Sequence, residues 1–449
     1  MTPCCPIARP DITVCMVGAL CDSMIGSAQS LEPMMNSMVT SNPLPRAAAT
    51  LDWPRGFRAA VGAAAIKKQG RDDLALLTMP SGATAAAIFT RNLFAAAPIE
   101  VSRRHLKDSR GHASALLLNS GCANAATGPL GVANAVESID AVARALGCAS
   151  ESVLVNSTGV IGVQLPMDRI LPELPRLCAR IERASDGDSL EPFARAIMTT
   201  DTKPKMSSRT ISCSDGRTVR VSGVAKGAGM IRPDMATMIS VLATDAEVDA
   251  RTLDRVLRHA ADASYHRISV DGDTSTNDSV FAFASCVAGA CDETLLAAAF
   301  REVACDLAKM IVCDGEGFER SLAVRVSGAA IKADALKVAE TVASSLLVRT
   351  AITGGDPNWG RIIAAAGRAG VTFRANDLEL RVGGNLIFRD GQPVEADKNA
   401  VRAAFNGSHV EIAISLGATD GSVGEANSDT FLSCGLTTEY VRLNADYTT

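Results

Sequence analysis

Four stretches of the chain have apolar residues at helical spacing. In the first, Val132, Val136, Ile139 and Leu146 fall on one helix face, and Gly147 follows as a stop. The predicted helices are 132–146, 253–260, 294–310 and 334–348, the last one capped by Asp334.

Other stretches indicate β-strands, either by alternation of apolar and polar positions or by a neighbouring turn. The predicted strands are 218–224 after an Asp-Gly turn at 215–216, 322–326, a hairpin over 378–388 around Gly383-Gly384, 410–416 and 440–444. Helices and strands alternate irregularly and several hairpins occur. This order favours an α+β layered fold over a doubly wound parallel sheet.

The chain has 449 residues, which is too long for one ordinary core. We therefore expect two domains or one large two-lobed unit, with a compositional boundary near residues 200–230. Lys plus Arg number 44 against 49 Asp plus Glu, a balance that argues against nucleic acid as the main partner. No run of about 18 strongly apolar residues is present, so no membrane span is predicted.

The thirteen cysteines form no CxxC pair and share no metal-ligand spacing with the five histidines. This pattern indicates reduced thiols in a cytoplasmic protein and predicts no metal site. Residues 1–50 are rich in Met, Cys, Ser and Pro and match neither a secretory signal nor a mitochondrial presequence. We interpret them as a disordered extension, or as the result of a start codon assigned too early, with Met38 as the alternative start.

Common catalytic and nucleotide-binding signatures are absent from the sequence. It contains no GxxxxGK[ST] and no GxSxG, and Gly227-Ala-Gly229 lacks the third glycine of a dinucleotide site. The acidic loop 269–278 resembles a calcium loop, but Thr276 and Ala282 occupy the positions that require Gly and Glu. We expect this loop to form a turn network that caps a helix or frames a cleft.

The most informative segment is 225–238, Ala-Lys-Gly-Ala-Gly-Met-Ile-Arg-Pro-Asp-Met-Ala-Thr-Met. Its glycines permit a sharp turn after the predicted strand, and Pro233 restricts the backbone further. At Ala236-Thr237 a hydroxyl follows a small residue and could attack the preceding carbonyl. Hydrolysis of the resulting ester would leave a chain that begins at Thr237, whose free α-amine could act as a base for its own side chain. From spacing alone, an ordinary turn remains the alternative.

This segment closely resembles the self-cleavage motif of the ornithine acetyltransferase family, the bifunctional glutamate N-acetyltransferases of arginine biosynthesis. Further stretches resemble the family in the same order, over about residues 51–449. They are 54–60, 119–128, 157–162, 198–202, 271–278, 314–317, 356–361 and 444–449. The resemblance implies a two-lobed layered α/β sandwich of the self-processing ornithine acetyltransferase type.

The resemblance also implies a mechanism. Thr237 would carry the acetyl group from N-acetylornithine to glutamate by ping-pong transfer, giving ornithine and N-acetylglutamate. Thr158 and Gly159 match the family's oxyanion hole. Six residues match its substrate contacts, with Lys226 suited to a carboxylate and Glu316 to an ammonium or to orienting the amine. The substrate contacts are Thr200, Lys226, Thr237, Glu316, Asn444 and Thr449.

Family analogy implies cleavage between Ala236 and Thr237. The products are an α chain, of which 51–236 lies within the resemblance, and a β chain of residues 237–449; two of each would form a heterotetramer. No metal or organic cofactor is implied. Acetyl-CoA is a co-substrate only if the enzyme also makes N-acetylglutamate from scratch, which the sequence does not decide. Two alternatives stay open: an aminopeptidase or amidase on the same self-cleaving scaffold, and an unprocessed, non-catalytic paralogue that binds acetylated amino acids.

The sequence also departs from the family pattern. Cys122 stands where Asn is usual, Ala126 where Cys is common and Asp234 where Asn is usual, and the stretch 426–435 keeps only Cys434 of a longer run. A carboxylate at Asp234 could raise the pKa of the nucleophile's amine. These differences bear on rate and substrate choice more than on the identity of the nucleophile.

Overall fold

The computed structural model describes residues 51–232, 238–417 and 427–446. Within them the chain forms two β-sheets, one of eight strands and one of six. The strands are β1 Arg58–Gly62, β2 Leu74–Phe89, β3 His112–Cys122, β4 Val153–Val160, β5 Lys205–Ser212, β6 Thr218–Lys226, β7 Ile239–Thr244, β8 Ser279–Ala284, β9 Ser321–Ser327, β10 Glu379–Val382, β11 Asn385–Arg389, β12 Gln392–Pro393, β13 His409–Ser415 and β14 Asp429–Cys434.

Helices cover both sheets. They are α1 Ala97–Asp108, α2 Gly128–Leu146, α3 Met167–Arg183, α4 Glu191–Ala196, α5 Ala250–Asp262, α6 Glu293–Val312, α7 Lys332–Ala343, α8 Leu346–Gly354, α9 Trp359–Gly367, α10 Lys398–Asn406 and α11 Thr438–Asp446. Among the described residues, no helix combines the length and the apolar character needed to cross a membrane.

The large sheet has the strand order β4-β3-β2-β8-β7-β6-β5, and β1 pairs with β2 outside this path. Two pairs are parallel, β3 with β4 and β7 with β8, and the remaining pairs are antiparallel. Each parallel pair is joined by a crossover that contains a helix, α2 in one case and α5 in the other. The carboxyl end of β4 therefore lies in the same sheet as the end of β6 and the start of β7.

Alternating side chains of β8 enter two different cores. Val280 and Ala282 pack with α5 and α6, whereas Phe281 and Phe283 point to the other face, where they join the core around Trp53. Small residues of the second sheet, including Ala323, belong to the same core as α6. Helices α5 and α6 thus form a layer between the two sheets.

The small sheet has the order β12-β11-β10-β13-β9-β14, with β9 and β13 parallel. Its other face packs against α7, α8, α9 and α10 through a second apolar core that includes Val324, Ile412 and Phe431. The two sheets and their helix layers confirm the predicted α+β class with two lobes.

Most of the predicted helices and strands are present, and two of the predictions are wrong. Residues 440–444, predicted as a strand, lie in α11, because the hydroxyl of Thr437 accepts the N–H of Tyr440 at 3.0 Å and starts a helix. The predicted helix 334–348 is two helices, α7 and α8, because Ser345 is extended and its carbonyl accepts the N–H of Arg349 to begin a new one. The cap of α7 is Ile331, and Asp334 lies in its first turn.

The expected boundary near residues 200–230 does not separate compact units. Strands β5 and β6 occupy this range and belong to the same sheet as β2 and β8. Residues 1–50 lie outside the described residues.

We expect Phe300→Ala to destabilise the protein by about 3–5 kcal/mol, because the ring of Phe300 is fully buried in the layer between the sheets. Urea unfolding measures the change. Leu295→Ala on the same helix is the control: its side chain is 48% exposed, so we expect a loss below about 1 kcal/mol. Equal losses for the two variants would contradict the placement of α6.

Candidate active site

Thr158 and Gly159 lie at the carboxyl end of β4, where this strand pairs in parallel with β3. Gly159 stands opposite Gly121 and has a φ of 135°, a conformation that favours glycine. A Cβ at Gly159 would lie 2.3 Å from the carbonyl carbon of Gly121. The close approach of the two strands therefore requires glycine here and leaves the main chain uncovered by a side chain.

Lys226 is the last residue of β6, and its buried side chain reaches Thr158. The Lys226 Nζ donates to the Oγ1 of Thr158 at 3.3 Å. Burial lowers the pKa of Lys226, while the nearby carboxylates, Asp201 first among them, act in the opposite direction. An ammonium can only donate, so the Thr158 oxygen accepts this bond and its own hydrogen is free to be donated elsewhere.

A buried network of charges lies next to Lys226. The ammonium of Lys205 contacts Asp201 at 2.7 Å and Asp314 at 2.6 Å, and all three side chains are buried. Burial alone would raise the pKa of Asp201, but Lys205 and Lys226 outweigh it and lower the pKa to about 2. The charges therefore compensate one another in a place that water does not reach.

The same carboxylates also bind the main chain. Asp201 accepts the N–H of Gly227 at 2.6 Å and that of Thr199 at 3.1 Å. Asp314 accepts the N–H of Thr202 at 3.0 Å. The network thus joins the segment before β5, the turn that follows β6 and the residues after α6, and the half-buried Thr200 lies in the first of these segments, next to Asp201 in sequence.

Glu316 and Asn444 form a pair against the same turn. Asn444 Nδ2 donates to Glu316 Oε2 at 2.9 Å, and the N–H of Glu316 donates to the carbonyl of Ala228 at 2.8 Å. A Cβ at Gly229 would lie 2.7 Å from the Glu316 carboxyl carbon. Glycine at this position therefore allows the carboxylate to lie directly against the turn.

Two aspartates of the acidic loop hold the segment that contains the predicted cleavage site. Asp271 accepts the N–H groups of Met230 at 2.6 Å and Ile231 at 2.9 Å. Asp278 accepts the N–H of Met238 at 3.0 Å. Burial raises the pKa of both carboxyls, to about 6 for Asp271, against the lowering effect of these N–H bonds. The loop therefore frames the site, one of the two roles expected for it.

The acidic loop is also bonded to the strand of Thr158. Asn277 Nδ2 donates to the carbonyls of Ser157 at 2.9 Å and Ala123 at 2.7 Å. Asn156 Nδ2 in turn donates to the carbonyl of Asn277 at 2.9 Å. Through these bonds, the position of Met238 is set relative to the end of β4.

The predicted site residues fall into three groups. Thr158, Gly159 and Lys226 lie together, Glu316 and Asn444 form a bonded pair, and Thr200 directly precedes Asp201, whose carboxylate interacts with the charge of Lys226. Ala236, Thr237 and Thr449 lie outside the described residues, as do Asp234 and the beginning of the 426–435 stretch.

Sequence reasoning assigned no individual role to Asp201, Lys205, Asp271, Asp278 and Asp314. Four of these residues fall in stretches that were singled out, 198–202, 271–278 and 314–317. An aspartate that follows two threonines, or that ends a Ser/Thr-rich loop, was the available signal for a carboxylate bound to main-chain N–H groups.

The site holds a hydroxyl donor, an uncovered glycine main chain, an ammonium and a carboxylate in one framework that is buried at Thr158 and Lys226 and half-buried at Glu316. These are groups that could bind amino acids and stabilise the oxyanion of an acyl transfer. Among the described residues, no group of three or more His, Cys, Asp or Glu side chains could hold a metal ion. The fold and the site thus define a candidate acyl-transfer enzyme.

Comparison with known proteins identifies the family. The model of the ArgJ family matches residues 58–449, and the chain belongs to this family. It is 45% identical to the arginine biosynthesis bifunctional protein ArgJ of Nitratidesulfovibrio vulgaris, over 88% of this chain and 98% of that protein. It is 43% identical to the ArgJ protein of Thermosynechococcus vestitus, over 88% and 97%.

Among solved structures, an ornithine acetyltransferase from Mycobacterium tuberculosis in complex with ornithine is 40% identical. The match covers 40% of this chain and 92% of that one, with a TM-score of 0.36. The family predicted from the sequence motifs is confirmed by the family model and the two ArgJ relatives.

We expect Asp201→Asn to destabilise the protein by about 3–5 kcal/mol at pH 7, because it removes the carboxylate that interacts with both buried lysines, Lys205 and Lys226, and leaves only Asp314 in direct contact with Lys205. In the native protein, the lowered pKa of Asp201 contributes stability that is present above about pH 4 and is lost as the pH falls towards 2. This contribution is about 2 kcal/mol, and its pH dependence should be missing in the variant.

Urea unfolding at pH 7 and between pH 4 and 2 measures both effects. Asp254→Asn, which removes an exposed ion pair with Arg258, is the control and should cost less than about 1 kcal/mol. Unchanged stability of Asp201→Asn at pH 7 would show that the network is not a stabilising element.

We expect Gly159→Ala to cost about 3 kcal/mol or more, since the added Cβ would overlap the main chain of β3 in an unfavourable backbone conformation. Gly162→Ala is the matched control, because Gly162 also has positive φ but open space around it. There we expect only about 1–2 kcal/mol. Chemical denaturation of both variants tests this, and similar losses would speak against close contact of β3 and β4.

Proposed function

We propose that the protein transfers an acetyl group from N-acetylornithine to glutamate, with the hydroxyl of Thr237 as the nucleophile in both half-reactions. The observation that carries this proposal is the contact of the Lys226 ammonium with the Thr158 hydroxyl, next to Gly159. This contact leaves the Thr158 hydrogen available to an oxyanion, with the N–H of Gly159 as the second donor.

Family membership confirms the predicted class of enzyme, an acetyltransferase of arginine biosynthesis. The residue roles are part of the proposal. Lys226 contacts the α-carboxylate of each substrate, and Glu316 together with Asn444 contacts an ammonium. Thr200 and Thr449 complete the substrate contacts.

The first step of the proposal is self-cleavage. The Thr237 hydroxyl attacks the carbonyl carbon of Ala236, the C–N bond breaks and the nitrogen takes up the hydroxyl proton. Water then hydrolyses the ester, which leaves Ala236 as a carboxylate and Thr237 with a free α-amine. The anchoring of Met230, Ile231 and Met238 by two buried carboxylates supports this step, because it holds the chain on both sides of the bond.

Acetyl transfer follows by the same chemistry. The α-amine of Thr237 accepts the hydroxyl proton while the oxygen attacks the acetyl carbonyl. The tetrahedral oxyanion is bound by Thr158 and Gly159, and its collapse releases ornithine, whose nitrogen takes up the proton. The amine of glutamate then attacks the acetyl ester and regenerates the hydroxyl. Side chains and the α-amine suffice for these steps, so the proposal includes no resident cofactor; acetyl-CoA would enter only as a second acetyl donor.

The proposal extends to assembly and location. We expect two α chains and two β chains to form a heterotetramer in the cytoplasm. The nine cysteines among the described residues all carry free thiols, which supports a reducing compartment.

We expect the wild-type chain to yield two fragments, of 236 and 213 residues (449 minus 236), by intact mass measurement. Thr237→Ala should stay a single chain and lose transfer by about 10⁴-fold or more, because it removes the nucleophile. Thr237→Ser keeps a hydroxyl and is the control that should still be cleaved. Transfer that survives Thr237→Ala would refute the nucleophile.

Measurement of ornithine release with and without glutamate, together with the intact mass, separates the alternatives. Ornithine release that does not depend on glutamate would indicate an aminopeptidase or amidase. An intact wild-type chain that binds acetylated amino acids without turnover would indicate a non-catalytic paralogue.

A further inference from the structure

A cleft with a positively charged wall opens beside Gly159. Its volume is about 550 Å³, including the solvent-filled space at its opening. Its lining residues are Lys67, Lys68, Arg71, Asp73, Ser120, Gly121, Gly159, Met198 and Thr199. The cleft therefore reaches from the loop between β1 and β2 to the proposed oxyanion pair and to the residue before Thr200.

The loop that carries the two lysines is held firmly. Both carboxylate oxygens of Asp73 accept main-chain N–H groups, from Ala64 at 2.7 Å and Ile66 at 2.6 Å. The Cβ of Lys67 would lie 3.0 Å from a Cβ built at Gly121. Glycine at 121 thus brings the start of the Lys67 side chain close to the strand that pairs with Gly159.

Arg71 strengthens the positive charge and ties this loop to the next segment. Its guanidinium donates to the carbonyl of Met198 at 2.7 Å and to the hydroxyl of Ser120 at 3.3 Å. The carbonyl of Met198 and the hydroxyl of Ser120 accept hydrogen bonds from the guanidinium, but neither group carries a negative charge. Among the lining residues, the buried Asp73 carries the one carboxylate, and Arg71 interacts with it; together with the exposed Lys67 and Lys68, Arg71 outnumbers this carboxylate, so the wall keeps a net positive charge.

The proposed reaction requires a cationic site for one of its two substrates. Its two amino acids share an α-carbon framework, but ornithine ends in an ammonium and glutamate in a carboxylate. The carboxylate of Glu316, bonded to Asn444, attracts the first and repels the second. Glutamate, which has a second carboxylate, is therefore bound best where this carboxylate contacts cationic side chains and lies away from Glu316.

We infer that the cleft formed by Lys67, Lys68 and Arg71 binds the distal carboxylate of the acceptor amino acid and so sets the preference of the second half-reaction for glutamate. This inference rests on the proposed function, because it concerns the acceptor of that transfer. Lys67 and Lys68 are then specificity-determining residues, and Arg71 shapes the cleft through its bonds to Met198 and Ser120.

The test is steady-state transfer by the full, processed protein carrying Lys67→Ala and Lys68→Ala together. We expect the KM for glutamate to rise about tenfold, from two exposed charge contacts of roughly two- to fivefold each. The KM for N-acetylornithine and the rate of its ornithine release should change by less than about twofold. With glutamine as acceptor, which lacks the distal charge, wild type and variant should behave alike.

Lys107→Ala, on the exposed end of α1 outside the cleft, is the matched control and should leave both KM values unchanged. An unchanged KM for glutamate in the double variant would overturn the inference, as would an equal rise for both substrates. A rise confined to acetyl-CoA as donor would also overturn it and assign the cleft to phosphate groups. If the wild-type protein transfers no acetyl group at all, the proposed function itself fails, which is a separate result.

Discussion

The ion network of Asp201, Lys205 and Asp314 is the constraint on which the site depends. Charges removed from water are costly unless each meets a partner at short range and its remaining hydrogen-bonding groups are satisfied. Here the contacts are 2.6–2.7 Å, and the spare carboxylate positions accept main-chain N–H groups of Thr199, Thr202 and Gly227. The network therefore fixes where three chain segments meet, and the meeting point is where Lys226 leaves β6.

This framework also determines which way the nearby groups donate. Asp201 and Glu316 help the buried Lys226 to keep its charge, because both raise the pKa that burial lowers. A charged Lys226 makes the Thr158 oxygen an acceptor and turns its hydrogen towards another partner. The orientation of one hydroxyl thus depends on carboxylates that contact neither that hydroxyl nor, in the proposed reaction, the reacting atoms.

Prediction from sequence succeeded where local patterns determine the structure. The helix ending at Gly147 and the hairpin at Gly383-Gly384 follow from spacing and from residues that tolerate positive φ. It failed at Tyr440, where a hydroxyl from outside the apparent strand starts a helix. It also gave no role to Lys205 and Asp314, which are 109 positions apart. A lone lysine or aspartate in a sequence is usually solvated, so only the fold reveals that these two are buried together.

The two aspartates of the acidic loop explain how the proposed self-cleavage could leave an ordered site. Breaking a backbone bond normally frees two chain ends, and ordering them again costs conformational entropy. Asp271 holds Met230 and Ile231 before the bond, and Asp278 holds Met238 after it. Because neither anchor crosses the bond between Ala236 and Thr237, both would persist after cleavage. The new amino terminus would then stay one residue from the anchored amide of Met238, which directly precedes β7 of the sheet that also carries Thr158.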